Sequence, residues 1–144
     1  MSLKKSRNKQ LRLILGVIGA DVHIIGSKIL QFALEEAGFK VTYLGAANPP
    51  EDFIKAAIEE DAQAILVSSI YGHAQLDCFG FRDMCYEAGL KKILLYIGGR
   101  LDLGFTNWEE TERKFKQMGF DRVYPPGVFP DQVILDLRMD LGEL

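Results

Sequence analysis

At 144 residues, with 48% hydrophobic and 26% charged residues, the chain has the size and composition of one globular domain, which we predict over residues 11–144. The formal net charge of −3 argues against a non-specific nucleic-acid binder, although residues 1–10 form a basic leader that we expect to be frayed. No apolar run approaches the about 20 residues that cross a bilayer, and no apolar signal segment opens the sequence, so we expect a cytoplasmic protein without a membrane partner.

Short apolar runs alternate with amphipathic stretches of helical length along the chain. Gly38 follows the first amphipathic stretch, where a helix C-cap belongs, and the prolines Pro49 and Pro50 suit the start of the second helix. Asn107 is a predicted cap for a later helix. In chain order the predicted elements are a strand over 11–18, a helix over 27–37, a strand over 40–44, a helix starting at 48–52, a strand over 64–68, a helix ending at 87–89, a strand over 93–97, a helix over 108–118, a strand over 121–124 and a helix from about 130 to 141.

Five strand–helix units with connections too long for hairpins predict a parallel sheet with helices on both faces. We therefore predict a single doubly wound α/β domain, a flavodoxin-like (βα)5 fold with strand order 2-1-3-4-5. Ligands of such sheets bind outside the carboxyl ends of the strands, where the strand order reverses between strands 1 and 3. The loops at that edge are 19–26, 68–72, 98–104 and 124–127.

The common ligand motifs of this fold are missing. Gly16, Gly19 and Gly26 have the wrong spacing for the G-x-G-x-x-G dinucleotide fingerprint, and no G-x-x-x-x-G-K-[ST] phosphate loop is present. A receiver domain needs clustered acids after strand 1, where this chain has one. A flavodoxin needs a hydroxyl-rich first loop, which here has only Ser27. All four classes are disfavoured.

Asp21 and His23 lie two residues apart in the glycine-bracketed loop after the first strand. A histidine that binds a metal through Nε2 commonly donates its Nδ1 hydrogen to a carboxylate, and Asp21 is placed to accept it. A helix cap or a solvated pair explains the same spacing, so the residues alone leave these interpretations open. Zinc is disfavoured, because His73 and the two cysteines, expected to be buried thiols, lie on another loop and helix. A single protein ligand suits a metal that a macrocycle already holds.

Three signatures in this chain stand in the same order as those of a known family. After strands 1, 3 and 4 the sequence resembles the D-x-H-x-x-G, S-x-L and G-G motifs of cobalamin-binding domains. Over residues 11–141, and most closely over 116–127, it resembles the small, cobalamin-binding subunits of glutamate mutases (methylaspartate mutases). The residues that carry the signatures are Asp21, His23 and Gly26, then Ser68 and Ile70, then Gly98 and Gly99.

The resemblance implies adenosylcobalamin with its nucleotide tail displaced from cobalt and threaded into a pocket beside the sheet. His23 would take the place of the tail below the metal, and Asp21 would tune the imidazole. Ser68 would hydrogen-bond the benzimidazole base, and Gly98 and Gly99 would let the tail pass close to the backbone. With His23 as metal ligand and no catalytic residue, the implied cofactor-binding set is Ala20, Asp21, Val22, His23, Ile24, Gly26, Ser68, Ser69, Ile70, Gly98, Gly99, Arg100, Leu101, Asp102, Leu103, Gly104, Tyr124, Pro125 and Gly127.

The implied function is the cofactor half of a radical carbon-skeleton mutase that converts glutamate to 3-methylaspartate. A larger barrel subunit would bind the substrate, so the chain alone would be inactive. Ala20 stands where close relatives tend to carry serine, and Arg100 where asparagine is familiar, which leaves the exact substrate open. The alternatives are a subunit of another amino-acid or acyl mutase, a corrinoid methyl carrier and a cobalamin-sensing module.

Overall fold

Alternating strands and helices make up this computed structural model, which describes residues 10–102, 104 and 107–143. The predicted basic leader, apart from Gln10, lies outside the described residues. The elements are β1 (Arg12–Val17), α1 (Ile25–Glu36), β2 (Lys40–Tyr43), α2 (Pro50–Glu60), β3 (Ala64–Ser69), α3 (Ala74–Asp77), α4 (Phe81–Glu87), β4 (Leu94–Gly99), α5 (Trp108–Gln117), β5 (Arg122–Tyr124) and α6 (Pro130–Asp140).

The five strands form one parallel sheet in the order β2-β1-β3-β4-β5, which confirms the predicted topology. The order reverses at the β1–β3 pair. Near the carboxyl ends the register aligns Val17 with Ser68, Ser68 with Gly98, and Gly98 with Tyr124. One row across the sheet therefore brings together three residues of the predicted site, although they come from three separate parts of the chain.

Helices cover both faces of the sheet. Alternate strand residues such as Ile65 and Leu95 pack with side chains of α2, α4 and α5 on one face. Their neighbours Leu66 and Tyr96 pack with α1 and α6 on the other. Because both faces are buried, the strands are nearly continuous apolar runs, as parallel sheets require. No helix in the described part of the chain is long and apolar enough to cross a membrane.

The structure differs from the predicted elements in two places that concern the site. β4 extends through Gly98 and Gly99, which pair with Ser68 and Ser69, so the glycine pair ends a strand and does not begin a loop. The connection after β3 contains the one-turn helix α3 before α4 begins. Asn107 caps α5 as predicted, because its side chain accepts a hydrogen bond from the Glu110 N–H.

Candidate functional site

The loop between β1 and α1 presents the imidazole of His23 against the carboxylate of Asp21. His23 Nδ1 lies 2.7 Å from Asp21 Oδ1, and the His23 backbone N–H donates to the same oxygen at 2.9 Å. The other oxygen, Oδ2, accepts from the backbone N–H of Ile70 at 2.8 Å, just beyond β3. The Asp21 side chain is fully buried, whereas that of His23 is 59% exposed. The carboxylate is thus fixed in the protein, and the ring faces outward.

The protonation of this pair follows from its surroundings. Burial alone would raise the pKa of the Asp21 carboxyl, but the hydrogen bonds from the Ile70 and His23 N–H groups and from the imidazole together hold that pKa below its usual value. An ionised carboxylate only accepts hydrogen bonds, so His23 Nδ1 carries the hydrogen. Nε2, which has no partner among the described residues, is the nitrogen that can bind a metal.

A mostly apolar cavity of about 330 Å³ opens at the carboxyl edge of the sheet, between the strand ends, α1 and the start of α6. Its size is within the range of small-molecule sites. It connects to the His23 loop through Ile70, which lines the cavity and whose N–H holds Asp21. The predicted site residues that line it are Gly26, Ser68, Ile70, Gly98, Gly99, Tyr124, Pro125 and Gly127.

Four hydroxyl side chains line this cavity, and three of them are hydrogen-bonded within the protein. Ser27 Oγ donates to the carbonyl of Ile24 at 2.9 Å, Tyr124 donates to Asp136 at 2.6 Å, and Tyr96 donates to Asp140. Burial, followed by the hydrogen bond to Asp136, raises the pKa of Tyr124, which stays neutral. The hydroxyl of Ser68 has no partner among the described residues. Ser68 therefore offers a polar ligand a hydrogen bond.

The glycine pair at the end of β4 is closely packed. A Cβ on Gly99 would lie 2.1 Å from the carbonyl oxygen of Ser69, and the residue has a φ of +115° that disfavours other side chains. A Cβ on Gly98 would lie 3.3 Å from Cβ of Tyr124. The close approach of β3 and β4 thus requires glycine at 99 whether or not a ligand is bound.

Several residues of the predicted set lie away from the cavity. Ser69 faces the opposite side of the sheet from Ser68, and its buried hydroxyl has no partner among the described residues. Leu101 is buried in the core on that same opposite face. Asp102 accepts hydrogen bonds from the Gly104 N–H and from the hydroxyl of Thr111, so it shapes its own loop. Leu103 lies outside the described residues.

The remaining predicted residues are exposed around the His23 loop and the cavity edge. The side chains of Val22 and Ile24 flank His23 and are 67% and 38% exposed. Arg100 is also exposed. Ala20 is exposed, and its backbone N–H donates to the hydroxyl of Tyr71 at 3.2 Å. Sequence reasoning did not assign Tyr71 a role, because nothing in the spacing links residues 51 positions apart.

No cluster of three or more histidine, cysteine, aspartate or glutamate side chains in the described ranges could hold a metal ion. Cys78 and Cys85 are buried and not paired in a disulfide. Burial raises the pKa of the Cys85 thiol, so it is a poor metal ligand. A site with His23 as the single protein ligand of a metal stays a prediction.

Three comparisons bear on the family. The B12 binding domain family matches residues 11–123. A glutamate mutase sigma subunit from Carboxydothermus hydrogenoformans is 57% identical over 134 residues, which cover 93% of this chain and 98% of that protein. The glutamate mutase sigma subunit of Treponema denticola is 52% identical, over 94% of this chain and 97% of its own length.

A solved structure shares the fold. The crystal structure of a cobalamin-binding protein from Desulfitobacterium hafniense superposes with a TM-score of 0.72 at 20% sequence identity. The superposition covers 92% of this chain and 60% of that protein. At this identity the likeness supports the architecture, a parallel sheet with helices on both faces, and nothing more specific.

Proposed function

Because the chain belongs to the family of glutamate mutase sigma subunits and carries a B12-binding domain, we propose that it holds adenosylcobalamin, with His23 as the protein ligand of cobalt. In this role the chain is the cobalamin-binding component of an isomerase. The substrate-binding machinery belongs to a partner catalytic subunit, for which we propose a larger barrel-type protein.

One observation carries the assignment of His23. Its Nδ1 donates to a buried carboxylate that is itself fixed by the Ile70 N–H, which leaves Nε2 on the exposed side of the ring. A hydrogen bond of this kind sets the tautomer and raises the basicity of a metal-binding imidazole. The chain has a second histidine, His73, but it has no carboxylate partner among the described residues.

The cavity beside the sheet supports the proposal that the nucleotide tail of cobalamin binds there. Its volume of about 330 Å³ and its apolar walls suit a flat aromatic base. Because Tyr96, Tyr124 and Ser27 are already hydrogen-bonded, the Ser68 hydroxyl is the lining group that we assign to the polar edge of that base. Gly98 and Gly99 keep the wall near Ser68 clear of side-chain atoms.

Bound adenosylcobalamin supplies the radical chemistry of a carbon-skeleton rearrangement. The contribution of this chain is to bind and orient. Asp21 keeps the Nδ1 hydrogen on His23 and holds the ring in one orientation. The walls of the cavity would exclude water from the tail, and the Ser68 hydroxyl would hold its base in one position. The proposal gives these residues binding and orienting roles and assigns the substrate to the partner subunit.

The assignment of His23 is tested by electron paramagnetic resonance of the purified chain with cob(II)alamin. We expect a nitrogen splitting that changes when histidine is labelled with ¹⁵N, which distinguishes the imidazole of histidine from the benzimidazole of the tail. His23→Ala should abolish it. His73→Ala is the matched control, since the chain has two histidines, and should keep it. A spectrum that does not change with the ¹⁵N label would refute His23 as the ligand.

The substrate is tested separately by mixing the cobalamin-loaded chain with a barrel-type catalytic subunit of a glutamate mutase. We expect conversion of glutamate to 3-methylaspartate, and no conversion by either subunit alone. Turnover of another amino acid or acyl substrate, without turnover of glutamate, would assign the chain to a different mutase. That outcome would leave the ligand role of His23 intact.

A further inference from the structure

A tyrosine and an aspartate on the connection after β3 contact the backbone of the His23 loop. The hydroxyl of Tyr71 accepts a hydrogen bond from the Ala20 N–H at 3.2 Å and donates one to Asp77 Oδ2 at 2.5 Å. Asp77 is the last residue of the one-turn helix α3. The backbone at position 20 is therefore linked through one phenol to a carboxylate on another element.

The fit between these groups is close. Gly19 has a φ of +70°, and a Cβ placed on it would lie 2.3 Å from Asp77 Oδ2 and 2.6 Å from the Tyr71 oxygen. Real Cβ atoms do not approach other atoms this closely. The Tyr71–Asp77 pair thus packs directly on the bare backbone of Gly19, and the glycine is required by that contact as well as by its conformation.

The two contacts with the loop come from adjacent residues. Ile70 donates its N–H to the Asp21 carboxylate, and Tyr71 accepts from the Ala20 N–H. The end of β3 thereby holds both the residue that orients His23 and the residue before it. Burial, and then the hydrogen bond to Asp77, raises the pKa of Tyr71, so the phenol keeps its hydrogen and continues to donate.

We propose that Tyr71 and Asp77 are positioning residues that fix the backbone at Gly19–Ala20 and thereby hold His23 where its Nε2 meets cobalt. The role in ligation rests on the proposed function. Without the Tyr71–Asp77 pair, the loop adopts further conformations in which the His23 imidazole is displaced. Part of the free energy of cobalamin binding is then needed to order the loop.

The first test needs no cofactor. Amide hydrogen exchange is measured at Ala20 in the cobalamin-free chain, for the wild type and for Tyr71→Phe. Phenylalanine keeps the ring but lacks the acceptor of the Ala20 N–H. We expect the exchange rate of the Ala20 amide to rise about tenfold, which corresponds to the free energy of one hydrogen bond. Unchanged exchange at Ala20 would overturn the proposal whatever the chain binds.

The second test uses the chain loaded with cob(II)alamin and compares three variants. Tyr71→Phe and Asp77→Ala should weaken cobalamin binding about tenfold and broaden the histidine nitrogen splitting. Asp77→Asn keeps an oxygen that accepts from Tyr71, so it should retain most of the wild-type splitting. This rescue separates hydrogen-bonded positioning from a general loss of packing.

Asp121→Ala is the matched control for a lost carboxylate. Asp121 accepts from Arg82 and from the Leu95 N–H at the opposite, amino-terminal edge of the sheet. The Asp121→Ala variant should have a lower free energy of unfolding than the wild type but the same histidine nitrogen splitting. If the splitting is present in the wild type and absent in His23→Ala, but Tyr71→Phe and Asp77→Ala match the wild type, the positioning role is refuted and the proposed function stands. If the wild type lacks the splitting, the proposed function fails.

Discussion

At the scale of single residues, the two oxygens of the Asp21 carboxylate accept hydrogen bonds from different parts of the chain. Oδ1 receives the His23 backbone N–H and the imidazole, and Oδ2 receives the Ile70 N–H. An isosteric amide has one oxygen only, so it cannot accept on both sides. The site therefore depends on a carboxylate at this position for its fold as well as for any ligand.

Asp21→Asn should lower the free energy of unfolding of the cobalamin-free chain by about 1–3 kcal/mol, because one partly buried N–H group then faces the NH2 of the amide. It should also weaken cobalamin binding by roughly 10-fold to 100-fold, as changes behind metal-binding histidines commonly do. Urea unfolding and equilibrium binding measure the two effects. Asp83→Asn, at an exposed position on α4, is the control. Equal stability of Asp21→Asn and the control would contradict the argument.

Gly99→Ala should destabilise the chain more than Gly89→Ala. Both glycines have positive φ, but a Cβ at 99 would lie 2.1 Å from a backbone oxygen, whereas a Cβ at 89 meets nothing within 4 Å. The Gly89 variant reports the conformational cost alone, which is about 1–3 kcal/mol. Any excess in Gly99→Ala reports the contact with β3. Thermal or urea unfolding measures both, and similar losses would mean that the strand end moves to accommodate the methyl group.

At the scale of elements, α6 is tied to β5 by an ion pair that also holds a residue of the cavity wall. Arg122 donates to Asp140 at 2.8 and 2.9 Å, and Asp140 also accepts from Tyr96, a cavity-lining residue. The hydrogen bond from Arg122, stronger than the opposing effect of burial, holds the pKa of the Asp140 carboxyl below its usual value. The helix is therefore anchored by a charged group that acid can neutralise.

This anchor predicts the direction of the pH dependence. A carboxyl whose pKa is lowered on folding contributes stability above its unfolded pKa, near 3.9, and loses it as the pH falls through the folded pKa. Unfolding free energies measured between pH 7 and pH 2.5 should thus fall on acidification below about pH 4. Asp140→Asn should lower stability at pH 7 and flatten the acid part of the curve. Parallel curves for the two proteins would exclude Asp140 as a contributor.

The elements also show what the sequence could predict and why some of the site was missed. The Asp21–His23 contact was predictable because the two residues lie two positions apart. The strand order was predictable because five strand–helix units restrict the sheet to few topologies. The resemblance implies one pocket for Ser68 and Ser69, but consecutive strand residues face opposite sides of a sheet. The Tyr71 contact with Ala20 depends on how two distant loops meet. No pattern within either loop indicates it.

At the scale of the whole molecule, Ile70 links the cavity to the His23 loop, so cobalamin bound in the proposed manner should stabilise the fold by mass action. The thermal midpoint of the chain should rise with cobalamin concentration. Cobinamide, which lacks the nucleotide tail, leaves the cavity without its ligand and should raise the midpoint much less. Differential scanning fluorimetry measures both series. Equal shifts for the two compounds would show that the cavity does not bind the tail.

The end of β3 has a consequence for how the two halves of the ligand influence one another. Within four consecutive residues, Ser68 faces the cavity, Ile70 holds the carboxylate behind His23, and Tyr71 holds the adjoining loop. When one half of the ligand binds and orders this short segment, the segment is already ordered for the other half. In the proposed complex, tail binding and cobalt ligation are therefore thermodynamically linked, and the linkage is reciprocal. Each half should bind more tightly when the other half is already bound.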